Sequence, residues 1–322
     1  MMFSQQPAKQ RSMNETTPKS DSITAEGNHR IPVYLWEPEE AATAVIQIFH
    51  GLGEHSARYD RFARAAMNHG YIVCAHDHRG HGPTAEKIGF FAPKNGWELL
   101  VSDGHLVTEY LQRKFAKQPV VLLGHSMGSY IAQSYATRYG HAIAALILSG
   151  STWPARLQIF ILRLLARFES WRHGKRGSSP LLDKLGFGAF NKAFEPARTE
   201  LDWLSREPGE VDAYIDDPLC GGPYTTGLWL DLLSGLLSIS TNQALLRISQ
   251  DLPILITGGA DDPVGGERGM NELAARYKAT GHSSLSTRIY PDGRHEMLNE
   301  TNRDEFTDDL LGWIAQNLPQ QA

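Results

Sequence analysis

Gly124-His125-Ser126-Met127-Gly128 follows the apolar run Pro119 to Leu123 and opens a stretch in which Met127, Ile131, Tyr135 and Tyr139 recur at helical spacing. Strand, tight turn and helix, in that order, are the context a Gly-x-Ser-x-Gly pentapeptide needs if its serine is to act as a nucleophile. The glycines are needed because the turn is too tight for side chains beside a serine held in strained backbone with its hydroxyl exposed. Ser126 is therefore the candidate nucleophile.

The same rhythm recurs on either side. Ala44 to Phe49, Tyr71 to Ala75, Val120 to Leu123, Ala145 to Leu148 and Ile254 to Thr257 are short, β-branched apolar runs, most of them separated by segments long enough for a helix. Strands alternating with helices predict an α/β fold, a mostly parallel central sheet flanked by helices. Between Ser151 and about Asp251 the rhythm changes. Leu157 to Phe168 reads as a helical apolar run, Gly174 to Pro180 as a break, and Tyr224 to Ile239 is Leu-rich. The expected organisation is a flexible tail over 1–25, a core built from 26–150 and 246–322, and a helical insertion over 151–245 between strands of one sheet.

Composition agrees with a large globular core: 322 residues, 41% hydrophobic and 21% charged, exclude a disordered or collagen-like chain. The 31 Lys+Arg against 36 Asp+Glu leave a formal charge of −5 with no same-sign block, which argues against a nucleic-acid partner. Cys74 and Cys220 cannot frame a disulfide scaffold, and neither lies in a Cys-x-x-Cys or Cys/His zinc spacing. Two inert thiols fit a reducing, cytoplasmic setting. Ser4 to Asp21 is polar and Pro-interrupted, a disordered tail and not a signal peptide. The Leu-rich runs are broken by Arg163, Arg167 and Asp231, so no membrane span is expected, though a Leu-rich insertion is compatible with peripheral contact with a membrane. Nothing in the pattern specifies an oligomeric state.

A serine hydroxyl is a poor nucleophile without a base and an acid to orient that base. After the strand Pro253 to Thr257, Gly258-Gly259-Ala260-Asp261-Asp262-Pro263-Val264 sets two carboxylates just past a strand's C-terminal end, where open α/β sheets build their sites. Asp262 is the chosen acid and Asp261 the adjacent alternative, since successive turn residues point in different directions. Further on, strand-like Ser286 to Tyr290 leads into Pro291-Asp292-Gly293-Arg294-His295-Glu296, making His295 the candidate base. His50-Gly51-Leu52-Gly53-Glu54-His55 follows the first buried run, and the N–H groups of Leu52 and Met127 are the expected oxyanion donors. His50 itself is read as structural. His76-Asp77-His78-Arg79-Gly80-His81 is close to the opening of a metallo-β-lactamase zinc site, but Gly80 stands where a carboxylate ligand is needed. It is read as a structural brace beside the oxyanion turn.

Three strings together, His50-Gly51-x-Gly53-Glu54-His55-x-x-Arg58-Tyr59, Ala75-His76-Asp77-His78-x-Gly80-His81-Gly82 and Gly124-His125-Ser126-Met127-Gly128, resemble the monoglyceride lipase and lysophospholipase branch of the α/β-hydrolases. The resemblance covers most of 30–150 and 250–316. Asp262-Pro263-Val264-Gly265-Gly266 and Gly293-Arg294-His295-Glu296-Met297-Leu298 are similar to bacterial lysophospholipase-like members. Two departures stand out: Ser129 replaces a glycine common in monoglyceride lipases, and Pro263 to Gly266 replaces the cysteine-containing loop of mammalian members. The resemblance implies an α/β-hydrolase core with a helical cap over the site. It further implies a lipid or other small-molecule ester substrate with one acyl chain, hydrolysed through Ser126, Asp262 and His295 with no metal or organic cofactor. The same acyl-enzyme chemistry serves short-chain carboxylesterases, acyltransferases and serine aminopeptidases, and the fold also hosts ligand-binding proteins.

Overall fold

A computed structural model describes residues 17–318. Its strands are β1 (Lys19–Thr24), β2 (Arg30–Trp36), β3 (Ala44–Phe49), β4 (Tyr71–His76), β5 (Val120–His125), β6 (Ala145–Ser149), β7 (Ile254–Gly259) and β8 (Leu285–Tyr290). Its α-helices are α1 (Asp60–Asn68), α2 (Gly96–Lys114), α3 (Met127–Tyr139), α4 (Arg156–His173), α5 (Pro180–Phe187), α6 (Pro208–Asp216), α7 (Thr226–Ile239), α8 (Asn242–Leu245), α9 (Gly266–Ala279) and α10 (Arg303–Asn317).

One sheet takes the order β1-β2-β4-β3-β5-β6-β7-β8, parallel from β4 through β8 and antiparallel at the β1 and β2 edge. The central runs are apolar at nearly every position because helices cover both faces. Val45 and Phe49 of β3 join the cluster that contains α2, α3 and α9, while Ala44, Ile46 and Ile48 join the cluster that contains α1 and α10. Even Gln47, fully buried, is satisfied: its amide donates to the Gly104 carbonyl and its oxygen accepts from the Thr108 hydroxyl.

At the sheet edge the expected tail gives way to structure. Lys19–Thr24, assigned from sequence to a flexible segment, pairs antiparallel with β2 from Lys19 opposite Leu35 to Thr24 opposite Arg30. Its side chains are almost all exposed, so the strand rests on its backbone ladder and carries no apolar alternation to read. The tail's first sixteen residues lie outside those described.

The chain leaves β3 toward β4 on one side and returns to β5 on the other, so the sheet reverses its winding at β3. Phe49 lies in register with Gly124, which puts the turns after β3 and β5 side by side at the C-terminal edge, where ligands bind in open α/β sheets. Between β6 and β7 the chain makes its helical excursion, α4 through α8. Within it α4 packs along α7, and α7 also rests on α2 and α3. No helix among the described residues is long and apolar enough to cross a membrane.

Candidate active site

Ser126 sits between β5 and α3 with φ 51° and ψ −121°, a conformation that costs an L-residue on the order of 1–3 kcal/mol. Its neighbours hold it there. Ser126 N donates to the Ser149 carbonyl at 2.9 Å, and the Ser126 carbonyl accepts from both the backbone N–H and the hydroxyl of Ser129, at 2.9 and 2.6 Å. Ser129, noted in the sequence only as a departure, is thus a brace of the turn. The flanking glycines answer to close approach: a Cβ at Gly124 would lie 2.5 Å from the Gly128 carbonyl oxygen, and one at Gly128 would run into the Phe49 carbonyl.

The loops after β7 and β8 deliver the acid and the imidazole. His295 Nδ1 lies 2.9 Å from Asp262 Oδ2, with both residues buried. Asp262 Oδ1 accepts from Val264 N at 2.8 Å, which turns the other oxygen to the imidazole. Asp261 is exposed, and its backbone N–H donates to the Gly293 carbonyl. Of the two carboxylates left open by the sequence, Asp262 is the one that meets His295. The His295 ring lies between those of Trp203, at 5.1 Å, and His125, at 4.8 Å. Burial lowers the affinity of His295 for a proton, but the Asp262 charge and hydrogen bond outweigh it and leave the pKa above the ordinary histidine value.

On the other side of the serine lies the turn after β3. A Cβ built on Gly51 would come 3.3 Å from Ser126 Cβ, so the turn and the serine are in contact. Gly53 has φ 73°, which lets the chain reverse there. The turn is held by side chains from several directions: Gly51 N donates to Glu54 Oε1 at 2.5 Å, Gly53 N to His81 Nε2 at 3.2 Å, and Ser56 N to Asp77 Oδ1 at 2.8 Å. His50 Nε2 accepts from His78 N at 3.0 Å while its Nδ1 faces the Gly51 carbonyl, which defines a neutral tautomer with the proton on Nδ1. The brace expected from the His76 to His81 segment is therefore present. Among the described residues no acceptor takes the N–H of Leu52 or of Met127.

Other residues of the site were given no role by the sequence, although Glu54, Arg58 and Glu296 stand in the strings that carry the resemblance. Arg58 makes a bidentate ion pair with Glu296, at 2.7 Å on both arms, and reaches Glu54 at 3.1 Å. Burial would raise the Glu296 carboxyl, but the Arg58 guanidinium outweighs it and holds the group well below the usual carboxylate range. From the insertion, Trp203 and Leu204 carbonyls accept from His295 N and Glu296 N, and Tyr214 OH donates to the Gly53 carbonyl at 2.8 Å. The insertion thus touches both the histidine loop and the turn after β3.

The pattern of the family described as serine aminopeptidase, S33, matches residues 40–302. The monoacylglycerol lipase of Mycolicibacterium smegmatis is 27% identical over 95% of this chain and 100% of its own length. The monoglyceride lipase homolog of Monkeypox virus is 35% identical over 89% of this chain and 95% of its own. Among solved structures, a highly thermostable carboxyl esterase from Bacillus coagulans, in complex with glycerol, superposes with a TM-score of 0.85 at 25% identity, covering 94% of this chain and 99% of that one. The family pattern runs from before β3 to just before α10, and the relatives match almost end to end; the chain belongs to the serine aminopeptidase S33 family, as an α/β-hydrolase of the monoglyceride lipase and lysophospholipase type.

Proposed function

We propose that this protein hydrolyses carboxylic esters carrying a single acyl chain, monoacylglycerols or lysophospholipids, through an acyl-enzyme on Ser126. The observation that carries the reading is the buried hydrogen bond from His295 to Asp262 beside the strained Ser126 turn. With Asp262 accepting the Nδ1 proton, His295 Nε2 is left basic and takes the Ser126 proton as the serine oxygen attacks the ester carbonyl. The tetrahedral oxyanion accepts hydrogen bonds from the Leu52 and Met127 amides, a pair whose loss by one member typically costs ~2.7–4 kcal/mol of transition-state stabilisation. The alcohol departs with the proton from His295, and water activated by the same imidazole then releases the fatty acid.

The insertion is the cap of this reading, and its α4 supplies a surface suited to lipid. Leu157, Phe160, Ile161, Leu164, Phe168 and Trp171 are each at least 47% exposed and recur at helical spacing, so they form one outward apolar stripe. Arg156, Arg163 and Arg167 border it on one side at about 100° per residue. An apolar face edged with arginines matches a helix that lies in the headgroup region of a bilayer.

The test is a set of initial rates on p-nitrophenyl esters from acetate to palmitate, beside monoacylglycerol and lysophosphatidylcholine, with Ser126→Ala as control. Preference for medium or long chains, lost in the variant, is expected. Activity confined to short esters would reduce the protein to a general carboxylesterase, and turnover that survives Ser126→Ala would remove the mechanism.

A further inference from the structure

After α6 the chain brings Asp217 and Cys220 from the insertion against His55 at the end of the turn after β3. A ring nitrogen of His55, a carboxylate oxygen of Asp217 and Cys220 Sγ all lie within 4.8 Å of one another, and His55 Nε2 is 2.8 Å from Asp217 Oδ2. His55 is buried, while Asp217 and Cys220 are half-buried, so one side of the cluster opens to solvent. In sequence these residues are too far apart to show any ligand spacing.

The geometry points to a binding site for a zinc-type divalent metal ion, held by His55, Asp217 and Cys220, that fastens the insertion to the turn after β3. Imidazole, carboxylate and thiolate are the donor set that suits zinc, and three protein ligands with one open position for water complete a tetrahedron. Zinc bonds of about 2.0–2.3 Å set tetrahedral ligand atoms roughly 3.3–3.8 Å apart. The His55 to Asp217 edge, now a 2.8 Å hydrogen bond, would open by about half an ångström as the ion replaces the proton, while edges of up to 4.8 Å would close by about one. The ligands are already oriented. Asp217 Oδ1 accepts from Leu219 N at 2.8 Å, leaving Oδ2 toward His55, and Cys220 N donates to the Asp217 carbonyl at 3.0 Å. Gly221 N, next to the thiol, donates to the Gly53 carbonyl at 2.8 Å, so the two halves of the site are in register without the ion.

Asp217 supplies the negative charge of the cluster itself, the nearby Glu54 and Glu296 carboxylates being paired with the Arg58 guanidinium. On binding, the Cys220 thiol proton leaves to solvent, and the proton that bridges His55 Nε2 to Asp217 is given up from Nε2, the neutral imidazole then carrying its proton on Nδ1, so that Nε2 can ligate.

The full chain, stripped of metal with a chelator and kept reduced, is titrated with Co2+ and then Zn2+. One equivalent of cobalt should produce thiolate-to-cobalt charge-transfer absorption in the near ultraviolet, and zinc should displace it and raise the thermal midpoint. Cys220→Ser, close to isosteric at a half-buried position, should abolish both, and its own melting curve reports whether it folds. Asp217→Asn should weaken binding with the charge-transfer band retained. Cys74 is fully buried within the sheet, so the band reports Cys220. Absence of the band in the wild type, or a zinc-induced stabilisation that persists in Cys220→Ser, would overturn the proposal. None of these readouts depends on ester hydrolysis.

Discussion

The Arg58 guanidinium closes two 2.7 Å hydrogen bonds on the carboxylate of Glu296, the residue immediately after His295. Because Arg58 also reaches Glu54, which holds Gly51 N, one side chain links the histidine loop to the turn after β3. Both partners are nearly buried, with side chains 11% and 7% exposed. Removing Arg58 strands the buried Glu296 carboxylate, a change that typically costs about 3–5 kcal/mol, whereas removing Glu296 leaves Arg58 its contact with Glu54. Arg58→Met is therefore expected to destabilise strongly, Glu296→Leu less, and the double variant less than their sum. A denaturant series on the three proteins measures the coupling, and additive, small effects would show the pair to be incidental.

Asp262→Asn is expected to reduce ester turnover by on the order of 10^4-fold, because an amide cannot hold His295 in the tautomer that leaves Nε2 basic. Asp261→Asn, at an exposed position facing no imidazole, should change turnover little. Comparing kcat/KM for the two variants checks the assignment, and equal losses would contradict it.

The pH dependence of activity follows from His295. A base must be unprotonated to take the serine proton, and Asp262 raises the His295 pKa above its ordinary value against the opposing effect of burial. The acid limb of kcat/KM should accordingly fall at a pH above that of an ordinary histidine, with activity lost as pH decreases through it. Removing the carboxylate in Asp262→Asn should move that limb downward in whatever turnover remains.

Stability should respond to acid through a different set of imidazoles. Burial, first, and neighbouring histidines push His50 and His81 down to about 3 from 6.5, and each uses an unprotonated Nε2 to accept a backbone N–H of this region. Above pH 6.5 folded and unfolded forms are alike neutral, so these groups impose no loss. As pH falls from about 6.5 toward 3 the unfolded chain takes up protons that the folded one refuses, and each group removes roughly 1.4 kcal/mol per pH unit. Urea midpoints measured across that window should decline, and His81→Gln should flatten the slope. A midpoint independent of pH there would contradict the buried neutral tautomers.

The α4 stripe should separate interfacial from soluble turnover. Ile161→Glu with Leu164→Glu places charge at two positions that are 57% and 50% exposed, outside the buried core. Rates on a short soluble ester should stay near wild type while rates on monoacylglycerol in vesicles fall, and sedimentation with vesicles should fall in parallel. An equal drop on both substrates would argue that the stripe serves the site and not a membrane.

How far the sequence could be read depended on the range of the interactions involved. The five strands from β3 to β7 were legible because burial on both faces makes an apolar run, and that signal is local. β8, partly open to solvent, was legible as a strand-like run leading into the turn that carries His295. β1 was not, since Lys19–Thr24 is a mostly exposed edge strand held chiefly by its hydrogen-bond ladder to β2. Ser126, His295 and the pair Asp261 and Asp262 stood out because turn chemistry at strand ends is written in neighbouring residues. Ser129 could be noted as unusual but not understood, because its bond to the Ser126 carbonyl depends on the path of the turn.

By itself the sequence determined six of the eight strands, the strand-turn-helix that presents Ser126, the order of acid and histidine along the chain, and a helical excursion between two strands. Tertiary structure alone decided which of two adjacent carboxylates meets His295, that Arg58 and Glu296 bridge two loops, and that His55, Asp217 and Cys220 converge. The physical reason is the same in each case. Strand burial, helix spacing and tight turns are set by residues a few positions apart, whereas the direction of a side chain in a turn and its partner across 33 or 238 residues exist only once the sheet has brought the loops to one edge.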